Sequence, residues 1–364
     1  MLQFLHAADF HLDTPFGALP AAQAAARRRE RRETLFRLAD YVNTHHIPLV
    51  LLAGDLFDSA GAYRDTGEAL AQALGKMEAR VFIAPGNHDW YGPGSPWQTV
   101  SWPENVHVFR EAAMTAVEVP EWNAVIHGAA FTSPEQPESL LAGFTAPADG
   151  KLHLGVLHGE ADPAQSRYDP IRSREIRESG LHYLALGHIH KRTEPLHLGN
   201  TLCAWPGCLE GRGFDELGEK GFYLGEAENG AVTLRFVPFA RHRYEILRVD
   251  VTDRDPLAAA EAALPPETEG MLCRILLTGE TGDAGAGAEG VRAALAERFD
   301  ALEVRDGTRL RQDVWARASE DSLRGLFLRR LRARLEAADT EEERDRVTRA
   351  ARFGLAALDH RDLG

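Results

Sequence analysis

Apolar positions in this chain gather in short runs that switch abruptly to polar chemistry. Val81, Phe82 and Ile83 run into Ala84-Pro85-Gly86-Asn87-His88-Asp89, residues 4–8 into Asp9-Phe10-His11, and residues 49–53 into Gly54-Asp55-Leu56-Phe57-Asp58. Residues 154–157 stop at His158-Gly159, and residues 183–186 at Gly187-His188-Ile189-His190. Runs of this length and β-type content predict buried strands. A strand that ends in a glycine turn presents its next side chains at the carboxyl edge of its sheet, where open α/β sheets build their sites. The five run ends therefore bring Asp9, His11, Asp55, Asn87, His158, His188 and His190 to one edge.

Between the runs the period changes. Residues 20–45 predict a helix with Leu35, Leu38, Ala39 and Val42 as its buried stripe, and residues 65–79 a second helix, which makes a βαβ rhythm. The arginine run at 27–32 reads as a solvated helix face because acids are interleaved with it. The Gly- and Pro-rich loop 91–97 puts Tyr91, Trp97 and the nearby Trp102 where they either stack on bases or pack as core. Short strands follow over 106–126, a Pro-rich connection over 133–148 and a short charged helix over 171–179. Residues 222–225 and 232–237 flank Asn229-Gly230, a strong hairpin signal.

Beyond residue 241, stretches 246–251, 256–263, 272–277, 290–299 and 301–304 alternate strand, helix, strand, helix, strand. The loop 282–287 lacks phosphate-loop spacing and reads as linker. From residue 319 two amphipathic helices appear, one striped by Leu323, Phe327, Leu331 and Leu335, the other by Val347, Ala351, Leu355 and Leu358. A two-helix hairpin is not expected to bury both stripes unaided. The expected domains are 1–240, 241–318 and 319–364.

Composition bounds the function. The 364 residues are 44% hydrophobic and 26% charged, as in a globular protein, and no apolar run is long enough for a membrane span. The first strand begins within three residues of Met1, which leaves no room for a signal peptide, so a cytoplasmic location is expected. Three cysteines, Cys203, Cys208 and Cys273, form no zinc pattern. The formal charge is −14; residues 241–364 hold 21 basic and 25 acidic side chains and residues 1–240 hold 20 and 30, so neither part is basic. If the chain binds DNA, local arginines, metal ions or a partner must supply the attraction.

The seven edge residues are too many for one tetrahedral ion but suit two ions about 3.5–4 Å apart that share a carboxylate, with Asp55 the natural bridge. His88 duplicates no ligand; its imidazole can transfer a proton, and Asp89 is expected to fix its ring. The series Asp9-x-His11, Gly54-Asp55-x-x-Asp58, Gly86-Asn87-His88-Asp89, His158 and Gly187-His188-x-His190 resembles that of the calcineurin-like metallophosphoesterases.

That resemblance implies an α/β fold, a four-layer metallophosphoesterase β-sandwich flanked by helices, here followed by a small α/β capping domain and a C-terminal helix pair. It implies metal one held by Asp9, His11, Asp55 and His190, and metal two by Asp55, Asn87, His158 and His188. Two divalent ions are implied, manganese by family expectation. Mixed carboxylate and imidazole ligands also suit iron, cobalt or zinc, and fit magnesium or calcium poorly. A hydroxide bridging the ions would be the nucleophile, with His88 as acid.

The Pro206-to-Gly221 segment resembles that of the SbcD nuclease family, bacterial partners of an SMC-like ATPase. The stretch from His11 to Phe16 is closer to the YhaO branch of DNA repair exonucleases, and Asp58 likewise fits bacterial relatives. The implied function is a manganese-dependent DNA exo- or endonuclease in repair, with DNA and an SMC-like ATPase as partners, a homodimer left open and no membrane. Two other functions compete with it: a small-substrate phosphodiesterase or nucleotidase, and a non-catalytic regulatory scaffold.

Overall fold

The computed structural model describes residues 1–17, 19–281, 287–310 and 315–358. Residues 282–286, most of the glycine-rich segment read as linker, lie outside the described residues. The chain divides into two compact units: Met1–Ile246 with Pro266–Arg274 and Ala296–Leu302, and Leu247–Pro265 with Ile275–Leu295 and Glu303–Gly364.

In the first unit, β1 (Leu2–Ala7), α1 (Ala21–Thr44), β2 (Leu49–Leu52), α2 (Arg64–Gly75), β3 (Arg80–Ile83), the short α3 (Pro96–Thr99) and β4 (Val106–Val108) realise the predicted βαβ rhythm. Next come β5 (Thr115–Val119), β6 (Ala124–Gly128), β7 (Leu152–His158), the two-residue strands β8 (Glu160–Ala161) and β9 (Pro170–Ile171), α4 (Ser173–Glu178) and β10 (Tyr183–Gly187). The hairpin β11 (Leu196–Leu198) and β12 (Thr201–Ala204) then leads to β13 (Gly221–Glu228) and β14 (Ala231–Pro238), which meet at the expected Asn229-Gly230 turn.

Two six-stranded sheets result, ordered β14-β13-β1-β2-β3-β4 and β11-β12-β10-β7-β6-β5. β1 to β4 run parallel, as do β6, β7, β10 and β12, so strands that carry the polar turns end on a common side within each sheet. Their continuous apolar sequences follow from burial on both faces. In β2, Leu49 and Leu51 turn to a core shared with Phe4, Phe82, Leu154, Val156 and Tyr183, while Val50 and Leu52 turn to a core with Leu35, Leu38 and Val42 of α1 and Leu70 and Leu74 of α2. On the far side of the second sheet, Leu157, Leu184 and Leu186 pack with Ile176 of α4 and Trp205. The layers are thus helices, sheet, sheet, and helix with loops: the four-layer α/β sandwich that the resemblance implied.

One expectation needs correction. The arginine run on α1 is not simply a solvated face: Arg31 is buried, its Nη2 donates to the Phe10 carbonyl at 2.5 Å, and its Nη1 reaches the Glu210 and Gly211 carbonyls at 3.4 Å. It ties α1 to the turn after β1, because a buried guanidinium is tolerated only where carbonyls satisfy it. Arg27 and Arg32 pair with Glu30 and Asp65 at 2.9 and 2.8 Å. Of the two readings left open for Trp97 the structure takes the core: its Nε1 donates to the Asp89 carbonyl and its ring stacks on Trp102.

The rest of the chain carries β15 (Arg243–Asp250), α5 (Pro256–Ala262), β16 (Met271–Thr278), β17 (Glu280–Thr281), α6 (Ala288–Leu295), β18 (Ala301–Asp306) and β19 (Arg309–Leu310), with β15, β16 and β18 in one sheet. In the second unit α7 (Leu323–Glu336) and α8 (Glu341–Leu358) pack on each other. Leu328, Ala351 and Leu355 with Ala318 form their core, against which Trp315, Phe327 and Leu331 pack. Of the two expected stripes only Ala351 and Leu355 are buried, with Phe327 and Leu331 partly so, while Leu328, outside the expected stripe, faces inward in place of Leu323. Leu323 and Phe353 stay 69% and 61% exposed.

Between the sheets of the first unit lies one polar pair, His6 Nδ1 2.6 Å from Tyr183 Oη, with burial pushing the imidazole down to about 3. Tyr183→Phe should destabilise the protein by about 1–3 kcal/mol, because it strands a buried imidazole nitrogen. Urea unfolding should show a lower midpoint at unchanged slope, and an unchanged midpoint would mean the pair is energetically neutral.

Candidate metal centre

The predicted donors leave their strands in contorted turns. Asp9, His11, Asp55 and His188 have φ of 55°, 43°, 51° and 89°, a conformation that costs non-glycine residues on the order of 1–3 kcal/mol each and persists only where neighbours enforce it. Enforcement is visible in two backbone bonds, Asp9 N–H to the Gly54 carbonyl at 3.0 Å and His11 N–H to the Asp55 carbonyl at 2.9 Å. Two glycines leave room for the donors. A Cβ on Gly54, itself at φ 81°, would stand 2.5 Å from His158 Nδ1, and one on Gly86 2.3 Å from Asp55 Oδ1.

All seven predicted donors meet, in two groups. In the first, His11 Nε2 lies 3.0 Å from His190 Nε2, and His190 Nε2 lies 4.0 Å from Asp9 Oδ1. In the second, Asn87 Oδ1 is 3.0 Å from His158 Nε2 and 3.1 Å from His188 Nδ1, and those two ring nitrogens are 3.3 Å apart. Asp55 Oδ2 stands 3.8 Å from His11 Nε2 and 3.3 Å from His158 Nε2, so one carboxylate serves both groups. Asp9–His11–His190 and Asp55–His158–His188 are compact enough to hold an ion each.

Three further observations fit a metal pair. Asp9 Oδ2 is buried without a hydrogen-bond partner, which would be costly unless a cation meets it. The outward nitrogens of three rings have acceptors beside them: His158 Nδ1 the Ala53 carbonyl at 2.9 Å, His188 Nε2 Glu160 at 2.9 Å and His190 Nδ1 Glu216 at 2.8 Å, the last with Arg212 Nη2 also 2.9 Å away. A neutral ring assigned a proton on that side turns its lone pair inward, the arrangement of metal-binding histidines. The donor set of nitrogens and carboxylate oxygens suits a transition-metal ion.

Electrostatics agree. Burial raises Asp9 to about 6, with the Asp55 charge adding to it, and holds His11 and His188 down to about 4. Burial also opposes charge on His158, but the Asp55 carboxylate outweighs it and lifts the ring to about 9. Asp55, against the cost of its burial, is held well below the usual carboxylate range chiefly by His158. A proton on His158 thus supplies the positive charge that Asp55 demands, at a place where an ion would displace it.

The expected role of Asp89 does not hold. Its carboxylate is buried and accepts the backbone N–H groups of Leu56, Phe57 and Gly86 at 2.7, 3.2 and 2.7 Å, so it fastens the β2 turn to the β3 turn. The partner of the His88 ring is instead the Asp58 carbonyl, 2.9 Å from Nδ1, and His88 is exposed beside His11. His153 and His182, beside the motif strands, are linked to Asp149 and to each other, away from the donors.

Sequence reading missed Glu160, Glu216 and Arg212. Glu160 lies two residues past His158 and supports His188; Glu216 supports His190; Arg212 binds both Glu216 and Asp58. The only signal was an acid close behind a motif histidine, and for Glu216 and Arg212 membership of a segment recognisable by resemblance alone.

A family model of calcineurin-like phosphoesterases matches residues 2–192. Among curated sequences, the chain is 32% identical over 275 residues to the uncharacterized metallophosphoesterase YhaO of Bacillus subtilis (strain 168), a match that covers 71% of this chain; the chain spans about 65% of that relative's length. Among solved structures it is similar to TT1561 of Thermus thermophilus, with 12% identity, 65% of this chain and 98% of that one covered and a TM-score of 0.41. It is also similar to GAP50 of Plasmodium, with 13% identity, 65% and 84% covered and a TM-score of 0.38. Those superpositions are weak, and the assignment stands on the sequence matches together with the two donor groups that share Asp55: the chain belongs to the calcineurin-like phosphoesterase family.

Proposed function

We propose that this phosphoesterase is a manganese-dependent DNA nuclease acting in repair beside an SMC-like ATPase. The observation that carries the hydrolytic reading is the shared carboxylate: Asp55 faces both donor groups. Asp9, His11, Asp55 and His190 would hold one ion, and Asp55, Asn87, His158 and His188 the other. When bound, such a pair activates water as a nucleophile near neutral pH and neutralises charge that develops on a phosphoryl group.

The chain's own residues do the rest. His88, exposed at the mouth of the site, keeps Nδ1 on the Asp58 carbonyl and so turns Nε2 toward incoming substrate. In its protonated form it delivers a proton to the departing oxygen, the role of a general acid. Support for DNA comes from the likeness of residues 206–221 to the SbcD family, and support for the ATPase from the exposed Leu323, Leu326 and Phe353 on α7 and α8.

A second reading, a phosphodiesterase or nucleotidase for a small substrate, draws on the charge of −14, which repels a polyanion. Assays with manganese on linear, nicked and hairpin DNA, beside bis-p-nitrophenyl phosphate, separate the two. Cleavage of at least one DNA form supports the nuclease; turnover of the small diester alone supports the second reading.

His88→Ala should leave metal content intact and lower kcat by about 10²- to 10⁴-fold on a substrate with an alkoxide leaving group. The loss should shrink with p-nitrophenolate, which needs little protonation. An equal loss on both would remove the acid role from His88.

Metal loading should depend on pH. In the metal-free protein His158 stays protonated up to about 9, so an incoming ion must displace that proton. Between pH 6 and 8 the apparent affinity for Mn²⁺ should therefore rise by about tenfold per unit. Below about 6 the Asp9 carboxyl, assigned to the first ion, takes up a proton, so that ion's affinity should fall there as well. Calorimetric titrations across this range would show it, and a pH-independent affinity would contradict the Asp55–His158 coupling.

A further inference from the structure

Residues 206–221 bring Arg212, Glu216 and Lys220 against the donor groups, and the family match, which ends at residue 192, leaves them without a role. Glu216 is buried and makes five polar contacts. Its Oε1 meets His190 Nδ1 at 2.8 Å and Arg212 Nε and Nη2 at 3.0 and 2.6 Å; its Oε2 accepts from the Arg212 backbone N–H at 2.8 Å and the Cys208 Sγ at 3.6 Å. Arg212 then reaches across with Nη1 to Asp58 Oδ1 at 3.3 Å, and the same oxygen lies 3.2 Å from His11 Nδ1.

The outward nitrogens of His11 and His190 are therefore joined through one chain of charges, Asp58–Arg212–Glu216. His11 follows β1 of the first sheet and His190 follows β10 of the second, so the chain spans the two sheet ends that must stay in register. The segment is anchored to His190 by more than Glu216: the Cys208 N–H and Lys220 Nζ both donate to the His190 carbonyl, at 3.3 and 3.1 Å. Among the described residues there is no such chain behind the second ion. His158 has only the Ala53 carbonyl and His188 has Glu160, a lone acid.

We propose that residues 206–221 are a clamp dedicated to the first ion, with Glu216 as the positioning residue that aims His190 and Arg212 as the tie that couples it to His11. The affinity of the first ion then depends on this segment more strongly than that of the second, with which it shares Asp55. This rests on the two-ion reading above. Losing a partner of this kind costs about 10–100-fold in metal affinity.

The test is calorimetric titration of Mn²⁺ into the chelator-stripped full chain, where the wild type should take up two ions. Glu216→Ala should weaken one ion by about a hundredfold and the other far less, whereas Glu216→Gln, which keeps an acceptor oxygen for His190 but not the charge, should weaken the first by about tenfold. Glu160→Ala should weaken the other ion, and Glu160→Ala with Glu216→Ala should weaken both. Two ions bound with wild-type affinity by either Glu216 variant, both ions weakened equally by a Glu216 variant, or a loss in Glu160→Ala that falls mainly on the same ion would overturn the clamp. Should the alanine variant fail to fold, the glutamine variant decides alone, because wild-type affinity there contradicts the role assigned to the charge. A wild type that binds fewer than two ions removes the two-ion reading itself, an outcome distinct from the clamp's own failure.

Discussion

The buried carboxylate of Asp55 is the constraint on which the rest of the site depends. An ionised carboxylate removed from water is expensive unless cations and hydrogen bonds surround it. Here it has the His88 N–H at 2.8 Å and the nitrogens of His158 and His11 at 3.3 and 3.8 Å. Those three groups come from the ends of β3, β7 and β1, so satisfying one oxygen pair requires both sheets of the sandwich to finish at the same place. The all-apolar strands and the cores on either side of them supply that register. The contorted backbone at Asp9, His11, Asp55 and His188 is the cost of pointing donors inward from strands that would otherwise run straight on.

Function follows from the same geometry by a short chain of steps. Sheets packed face to face bring strand ends together; the turns direct nitrogens and oxygens at two points; acceptors behind the rings select the tautomer that offers a lone pair. Asp89, spent on three backbone N–H groups, makes the β2 and β3 turns one rigid piece, so that Asp55 and Asn87 move together. The His88 backbone belongs to this framework through its N–H on Asp55, but its ring is exposed and held by a single backbone carbonyl, as suits a group that must meet substrate rather than metal.

The site's inner residues were legible in the sequence because each follows an apolar run directly, and strand length with polar termination is a local signal. The hairpin at Asn229-Gly230 and the buried stripe of α1 were legible as local signals too, whereas the four layers came from the family resemblance. What could not be read was whatever depends on which way a side chain turns once the sheets close. Asp89 adjoins His88 in sequence yet faces the backbone of another turn; Arg31 looks like part of a solvated run yet lies buried on carbonyls 21 residues away and farther. Trp97 sits in a loop by composition and in the core by packing. Glu160, Glu216 and Arg212 act on histidines through contacts that no spacing rule encodes, and Leu328 displaced Leu323 from the inner face of α7 through a one-residue difference in helix phase.

The central claim is that one carboxylate serves two metal ions. Anomalous diffraction from crystals of the manganese-loaded protein tests it most directly. Two peaks about 3.5–4 Å apart, one beside Asp9, His11 and His190, the other beside Asn87, His158 and His188, and both within bonding distance of Asp55, are the predicted result. A single peak at full occupancy, or two peaks of which only one touches Asp55, would contradict the account.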